Sequence, residues 1–342
     1  MKRFIIINSV VFFLFLLLGF NCIVSHAQQK VITLNYQTHQ PATHWGVPLN
    51  KEWIDEIEKG TEGTVKITQY AAGLLSPQRQ AYEAVVKGVI DIGETNPAYT
   101  PGRFPFMEIG DLPLGAKSAN AAGHLINELY KKYKPKEFDG VKVLYFHTNC
   151  PTSLHVAKKP VYRLEDLRGL KVRTTAATIQ IIKLLGATPV GLPMGEAYDA
   201  ISRGVVDANW NSNEALQSMK LADVIKYSVW CEPVANLAVF MVVMNKGKWN
   251  SLNPKQQKVF EEATSKLMEK HIRGWDINYA QAVDWAKKEK GVQFIVLPEE
   301  EQRRWGEKVK PLADEYVQKT KKMGLPGEEA YKFAIDYLKT HS

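Results

Sequence analysis

Apolar positions along the chain fall into short runs and helical stripes that alternate from residue 31 almost to the end. Residues 31–36 alternate as a strand that runs into Gln37, Thr38 and His39. Trp45, Leu49, Trp53 and Ile57 then recur at helical spacing, as a core stripe does, until Gly60 stops them. Residues 64–70 read as a second strand, and Ser76-Pro77 opens a helix with a cap followed by an N1 proline. Strands are predicted again at 141–146, 153–157, 237–244 and 294–297. A stripe through Val259, Ala263, Leu267, Trp275, Ala282 and Trp285 persists from residue 254 to residue 290, about ten turns at 3.6 residues each. A helix of that length is expected to span two lobes, and the alternation as a whole predicts an α/β fold.

Two stretches repeat one another. Ala84-Val85-Val86-Lys87-Gly88-Val89-Ile90-Asp91 returns as Ala200-Ile201-Ser202-Arg203-Gly204-Val205-Val206-Asp207, and each is followed by an asparagine, Asn96 or Asn211. In both, a glycine closes a helix and a short strand is predicted to follow, at 89–91 and at 205–207. Equivalent edges on two α/β lobes imply a cleft that closes over a ligand. The expected lobes are 28–150, rejoined by about 235–275, and 151–234, with about 276–342 packing on the second and across both. Chain crossings are expected near Cys150 and Val234. Within the second lobe a strand at 170–172 runs into Arg173, and the strand at 205–207 opens onto Asn209, Trp210 and Asn211. Open α/β sheets bind ligands beyond the carboxyl ends of their strands, so these residues are the first candidates for a binding site.

The same stretch carries a family resemblance. D-L-x-G-L-K-V-R at 166–173, G-A-x-P-V at 186–190, E-x-Y-x-A-I at 196–201 and G-V-V-D at 204–207 resemble the extracytoplasmic solute receptors of TRAP transporters, the DctP-like class, with similarity over about residues 30 to 320. The resemblance implies a two-lobe periplasmic-binding-protein-like fold with mixed sheets, hinge strands and a long helix spanning both lobes. It implies capture of a small carboxylate and delivery to TRAP permease membrane subunits for ion-gradient-driven uptake, with no cofactor and no chemistry on the ligand. In that family the arginine of the K-V-R phrase binds the substrate carboxylate, and Arg173 stands there. Asn211 matches a second carboxylate contact, Gln37 a site residue of the first strand, and Asn96 and Tyr99 the loop after the first Gly-Val-Ile-Asp phrase. Met194 falls where relatives often place an aromatic. The extra arginine of sugar-acid receptors is replaced by Thr152-Ser153-Leu154, which argues against sialic acid.

With Tyr99, Trp210 and Met194, and with Trp45 and Trp230 as further candidates, the expected ligand is a monocarboxylate with an apolar or aromatic body. Glu232 is a candidate acceptor for an amino or hydroxyl group, against its ordinary reading as a surface carboxylate. A guanidinium matches a carboxylate with two parallel hydrogen bonds, which is the chemistry assigned to Arg173. In the open cleft that arginine is expected to be hydrated and to hold little of the fold together.

Composition adds limits. Met1-Lys2-Arg3, an apolar run over 4–20 and Ser25-His26-Ala27 fit a signal peptide cleaved after residue 27, which places the mature chain in the periplasm. Losing Lys2 and Arg3 lowers the formal charge from +8 to +6, spread over helix faces, so no nucleic-acid partner is expected. Cys150 and Cys231 remain, either as a disulfide or as two buried thiols. No G-x-S-x-G, Walker, G-x-G-x-x-G or H-E-x-x-H motif occurs, so binding rather than catalysis is expected and no metal site, with an exported enzyme or a sensory receptor subunit on the same two-lobe scaffold as the alternative. His124 and Glu128, one turn apart, lack a third ligand. Sequence does not choose between a monomer and a homodimer.

Overall fold

The computed structural model describes residues 31–341. The proposed signal segment lies outside the described residues. Eleven strands, β1 (Ile32–Gln37), β2 (Val65–Tyr70), β3 (Ile92–Thr95), β4 (Val141–Thr148), β5 (Thr152–Val156), β6 (Lys171–Thr174), β7 (Thr188–Gly191), β8 (Ala208–Ser212), β9 (Tyr227–Trp230), β10 (Val239–Asn245) and β11 (Gln293–Val296), build two mixed sheets. One has the order β2-β1-β3-β10-β4 and the other β11-β9-β5-β8-β6-β7. Each sheet is parallel except for one reversed strand, β10 in the first and β5 in the second. Those are the two strands the chain enters on crossing between lobes.

The crossings are β4 to β5 and β9 to β10, and they are tied together. Asn149 N donates to Ala238 O, Thr152 N donates to Asn236 O, and Asn149 Oδ1 accepts from Ala238 N. The third crossing is the helix Pro254–Lys290, started by an Asn253–Gln256 capping box and ended by Gly291 in the left-handed conformation. Its first half packs with Leu34, Tyr36, Trp53 and Ile57 in the first lobe, and Ala286 packs near its far end with Leu216 and Leu221 in the second. The helix Glu299–Val309 covers the second lobe through Trp305 and Val309. The last helix, Gly327–His341, returns to the first lobe through Ala330, Ala334 and Leu338. No helix among the described residues is long and apolar enough to cross a membrane.

The repeated phrase is repeated in structure as well. Gly88 and Gly204 both have positive φ (74° and 69°), and the pairs Val89–Ile90 and Val205–Val206 donate their amides back to Ala84 O and Ala200 O. Asp91 and Asp207 then accept an amide of the neighbouring strand, Asn35 N and Lys171 N. The strands therefore begin after these aspartates, at Ile92 and Ala208, rather than at 89 and 205. The two exposed valines belong to the return turn, which hydrophobicity alone does not separate from a strand.

Candidate functional site

The cleft between the lobes is walled by the carboxyl ends of the parallel strands. His39 and Gln40 follow β1, Asn96 and Tyr99 follow β3, Arg173 lies in β6, Met194 follows β7, and Asn211 and Glu214 come from the end of β8. The space between these residues is small, about 50 Å³ open to the centre of a water molecule. On the hinge side it is bounded by an aromatic stack in which Phe240 lies parallel to Trp275 (centroids 5.4 Å apart) and to His39 (5.2 Å).

Arg173 is 1% exposed, the most buried charged group in the wall. Its Nε and Nη2 both donate to Leu192 O, at 2.9 and 2.7 Å, and Nη1 donates to Asn209 Oδ1 at 3.3 Å. One edge of the fork is thus occupied by a carbonyl. The Nη1–Nη2 edge meets only soft or neutral groups, the Met194 sulfur at 3.5 Å from Nη1 and the Tyr99 phenol beside it. No carboxylate pairs with Arg173 among the described residues. Burial pushes the guanidinium below its ordinary pKa, with Tyr99 and Glu196 acting the other way. A buried cation without an anion is costly, and an entering carboxylate would remove the cost at the free edge. The hydrated arginine expected of an open cleft is not what the described conformation presents: here the return of residues 192–194 covers the side chain.

Arg173 is held from behind by a neutral network. Asn209 Nδ2 faces His155 Nδ1 at 3.3 Å, and His155 Nε2 meets Asn213 Oδ1 at 2.9 Å. Asn213 is fixed further by Ser153, Ser228 and Tyr279. Because Asn213 offers an oxygen, His155 carries its proton on Nε2, and Nδ1 accepts from the Asn209 amide. That leaves the Asn209 oxygen for Arg173. Burial drops His155 to about 4, so this pattern holds at neutral pH.

Direct bonds join the lobes across the cleft. Trp45 Nε1 donates to Glu214 Oε1 (3.0 Å), Met194 N donates to the Tyr99 hydroxyl (3.3 Å), and Arg79 reaches Gly191 O (3.2 Å). Glu214 is 4% exposed, and burial raises its carboxyl to about 7 despite the donors Ser218 and Trp45.

Of the residues singled out in the sequence, Arg173, Asn211, Trp210, Asn96, Tyr99 and Met194 converge on the cleft. Asn211 donates to the Met194 sulfur and accepts from Asn149, and Trp210 Nε1 is held by Asn236. Gln37 does not reach the cavity; its oxygen accepts from Leu75 N and Ser76 N, and its amide donates to Ser76 O, so it pins a turn. Trp45 stands behind Glu214, outside the wall itself. Glu232 is exposed on an outer groove beside Gln302, because the chain after β9 turns away from the cleft. Cys150 and Cys231 are both free and buried. Sequence reasoning missed His39, Gln40, His44 and Glu214 as wall residues. The only available signal was their place just beyond a strand end or next to the Asn-Trp-Asn run.

A jointed pair of α/β lobes enclosing an arginine that lacks a carboxylate is the build of a solute receptor. The chain belongs to the bacterial extracellular solute-binding protein family 7 (DctP), whose sequence model matches residues 36–320. It is therefore a receptor of the TRAP transporter class rather than an enzyme. A TRAP periplasmic solute binding protein from Desulfovibrio salexigens is 30% identical, with TM-score 0.79 over 91% of this chain and 97% of its own. A marine metagenome TRAP solute binding protein from an unidentified microbe, described as specific for aromatic acid ligands, is 26% identical, with TM-score 0.85 over 91% and 99%. The monocarboxylate 2-oxoacid-binding periplasmic protein of Nostoc is 31% identical over 61% of this chain and 58% of its own.

Proposed function

We propose that this receptor captures a small monocarboxylate with an aromatic or apolar body between its lobes and hands it unchanged to a membrane permease. Arg173 grips the carboxylate through the Nη1–Nη2 edge, and Asn211, Tyr99 and Met194 close around it. The observation that carries this reading is the buried, carboxylate-free guanidinium at the cleft wall. The small cavity and its aromatic boundary favour compact acids over sugar acids. The aromatic acids bound by the metagenome relative point the same way. Residues 1–27 direct export to the periplasm.

A thermal-shift panel of monocarboxylates and their carboxamides tests the charge requirement, and calorimetry on the best acid then tests the anchor. Losing one partner of a desolvated charge pair costs about 2–5 kcal/mol. Arg173→Ala is expected to weaken binding by roughly two to three decades at 1.4 kcal/mol per decade. Arg173→Lys should recover part of the loss, since an ammonium does not reproduce the fork. Carboxamides that bind as well as acids, or an Arg173→Ala variant with wild-type affinity, would remove the anchor.

A further inference from the structure

The cleft has a second polar face that carboxylate recognition leaves unused. His39 Nδ1, Gln40 Oε1 and His44 Nε2 are buried, belong to residues lining the same cavity as Arg173, and find no hydrogen-bond partner among the described residues. All three come from the connection between β1 and the helix Gly46–Gly60, on the opposite lobe from Arg173. Buried polar atoms without partners are rare, and three on one cavity wall require an explanation.

Their polarity can be assigned. His44 Nδ1 accepts from Gly46 N at 3.1 Å, so in the neutral ring Nε2 carries the proton; its nearest acceptor, Glu214 Oε1, is 3.6 Å away, beyond a good hydrogen bond. Among the described residues no partner holds the His39 Nδ1, and the ring can present either a lone pair or an N–H to the cavity. Gln40 Oε1 is an acceptor. Glu214 adds a carboxyl already held on one side by Trp45. The wall therefore presents the Gln40 acceptor and the His44 donor side by side, with His39 able to serve as either. A hydroxyl, which donates once and accepts as well, matches that set. An ammonium donates only and would leave the His44 N–H unpaired. Burial also keeps His44 at about 3 and lowers His39, and the same desolvation disfavours a cation beside them.

We propose that the ligand is a hydroxylated monocarboxylate, with its carboxylate on Arg173 and its hydroxyl set among Gln40, His39 and His44 on the facing wall. This rests on the carboxylate reading of Arg173 and narrows it: the body crosses the cleft along the Phe240 face, and the hydroxyl satisfies atoms that an apolar end would leave unpaired. A site built to bond a hydroxyl discriminates against the analogue lacking it because its own polar groups stay unsatisfied.

The test is calorimetry on four matched pairs: propionate and lactate, butyrate and 4-hydroxybutyrate, benzoate and 3-hydroxybenzoate, phenylacetate and 3-hydroxyphenylacetate. In at least one pair the hydroxylated acid is expected to bind roughly 10- to 100-fold tighter, the effect of leaving one buried group unpaired. Gln40→Met, which keeps length and removes the acceptor, should reduce that ratio to about threefold or less. His44→Asn, whose side-chain oxygen can keep the bond to Gly46 N while the Nε2–H is lost, serves as a second variant should Gln40→Met melt below the assay temperature. If acids bind in an Arg173-dependent way but no pair shows a hydroxyl preference, or if both variants keep the wild-type ratio, the inference is overturned while the anchor stands. If none of the eight acids binds at millimolar concentration, anchor and inference fall together.

Discussion

At the scale of single residues, the cleft depends on groups kept neutral by burial around one group that cannot be neutral. Arg173 keeps its charge in a site where His155, His44 and His271 are held uncharged, near 4, 3 and 4. Removing Arg173 also costs stability, since Leu192 O and Asn209 Oδ1 lose a partner. His155 connects charge to pH. Its pKa is lower folded than unfolded, so the unfolded chain takes up the proton first as pH falls. The stability it contributes is complete above about 6.5 and is lost on descent to about 4, up to about 3 kcal/mol for a fully buried ring. Glu137 and Glu214, both raised to about 7, act in the opposite sense over part of the window, so the prediction concerns a difference. His155→Gln should be less stable than wild type at pH 7.5 but lose less of its stability between pH 6.5 and 4. Melting curves that run parallel across that range would show that His155 does not titrate on unfolding.

At the scale of elements, the long helix positions the cleft through a bare turn. A Cβ at Gly274 would lie 2.4 Å from Trp45 Cζ3, so the missing side chain lets the indole rest on the helix backbone and reach Glu214. Gly to Ala inside a helix normally stabilises by about 1 kcal/mol. Here overpacking, typically about 1–3 kcal/mol, opposes it. Gly274→Ala is expected to lower the unfolding free energy in denaturant titrations and to change tryptophan emission, and a stabilised variant with unchanged emission would refute the account. The helix period made this element and its length legible beforehand. The start of β3 was not, because Val89 sits in a turn whose form is set by the left-handed Gly88. Among residues lining the candidate cleft, the positions of Arg173, Asn211 and Tyr99 were legible from strand ends and family phrases. Gln37 and Glu232 also lie at strand ends, but which way each chain turns afterwards is a tertiary fact, and one pins a loop while the other faces solvent. His39, Gln40 and Glu214 carry no periodic signal at all; only their convergence from opposite lobes gives them meaning.

At the scale of the whole molecule, the described conformation is a closed one. Trp45–Glu214 and Tyr99–Met194 bridge the lobes across the cavity. On the proposed reading, these bridges part to admit the ligand. The crossings permit that, since they are two short connections tied to each other through Asn149, Thr152 and Asn236, plus one helix, and each lobe keeps its own core when they bend. On the proposed reading, closure is favourable when a carboxylate on Arg173 and contacts from the facing lobe are satisfied together. The most direct test is small-angle scattering of the mature protein without ligand and with a saturating monocarboxylate from the thermal-shift panel. A radius of gyration that falls on ligand addition, and does not fall for Arg173→Ala under the same conditions, is the predicted result; equal radii for the wild-type protein with and without saturating ligand would contradict capture by closure.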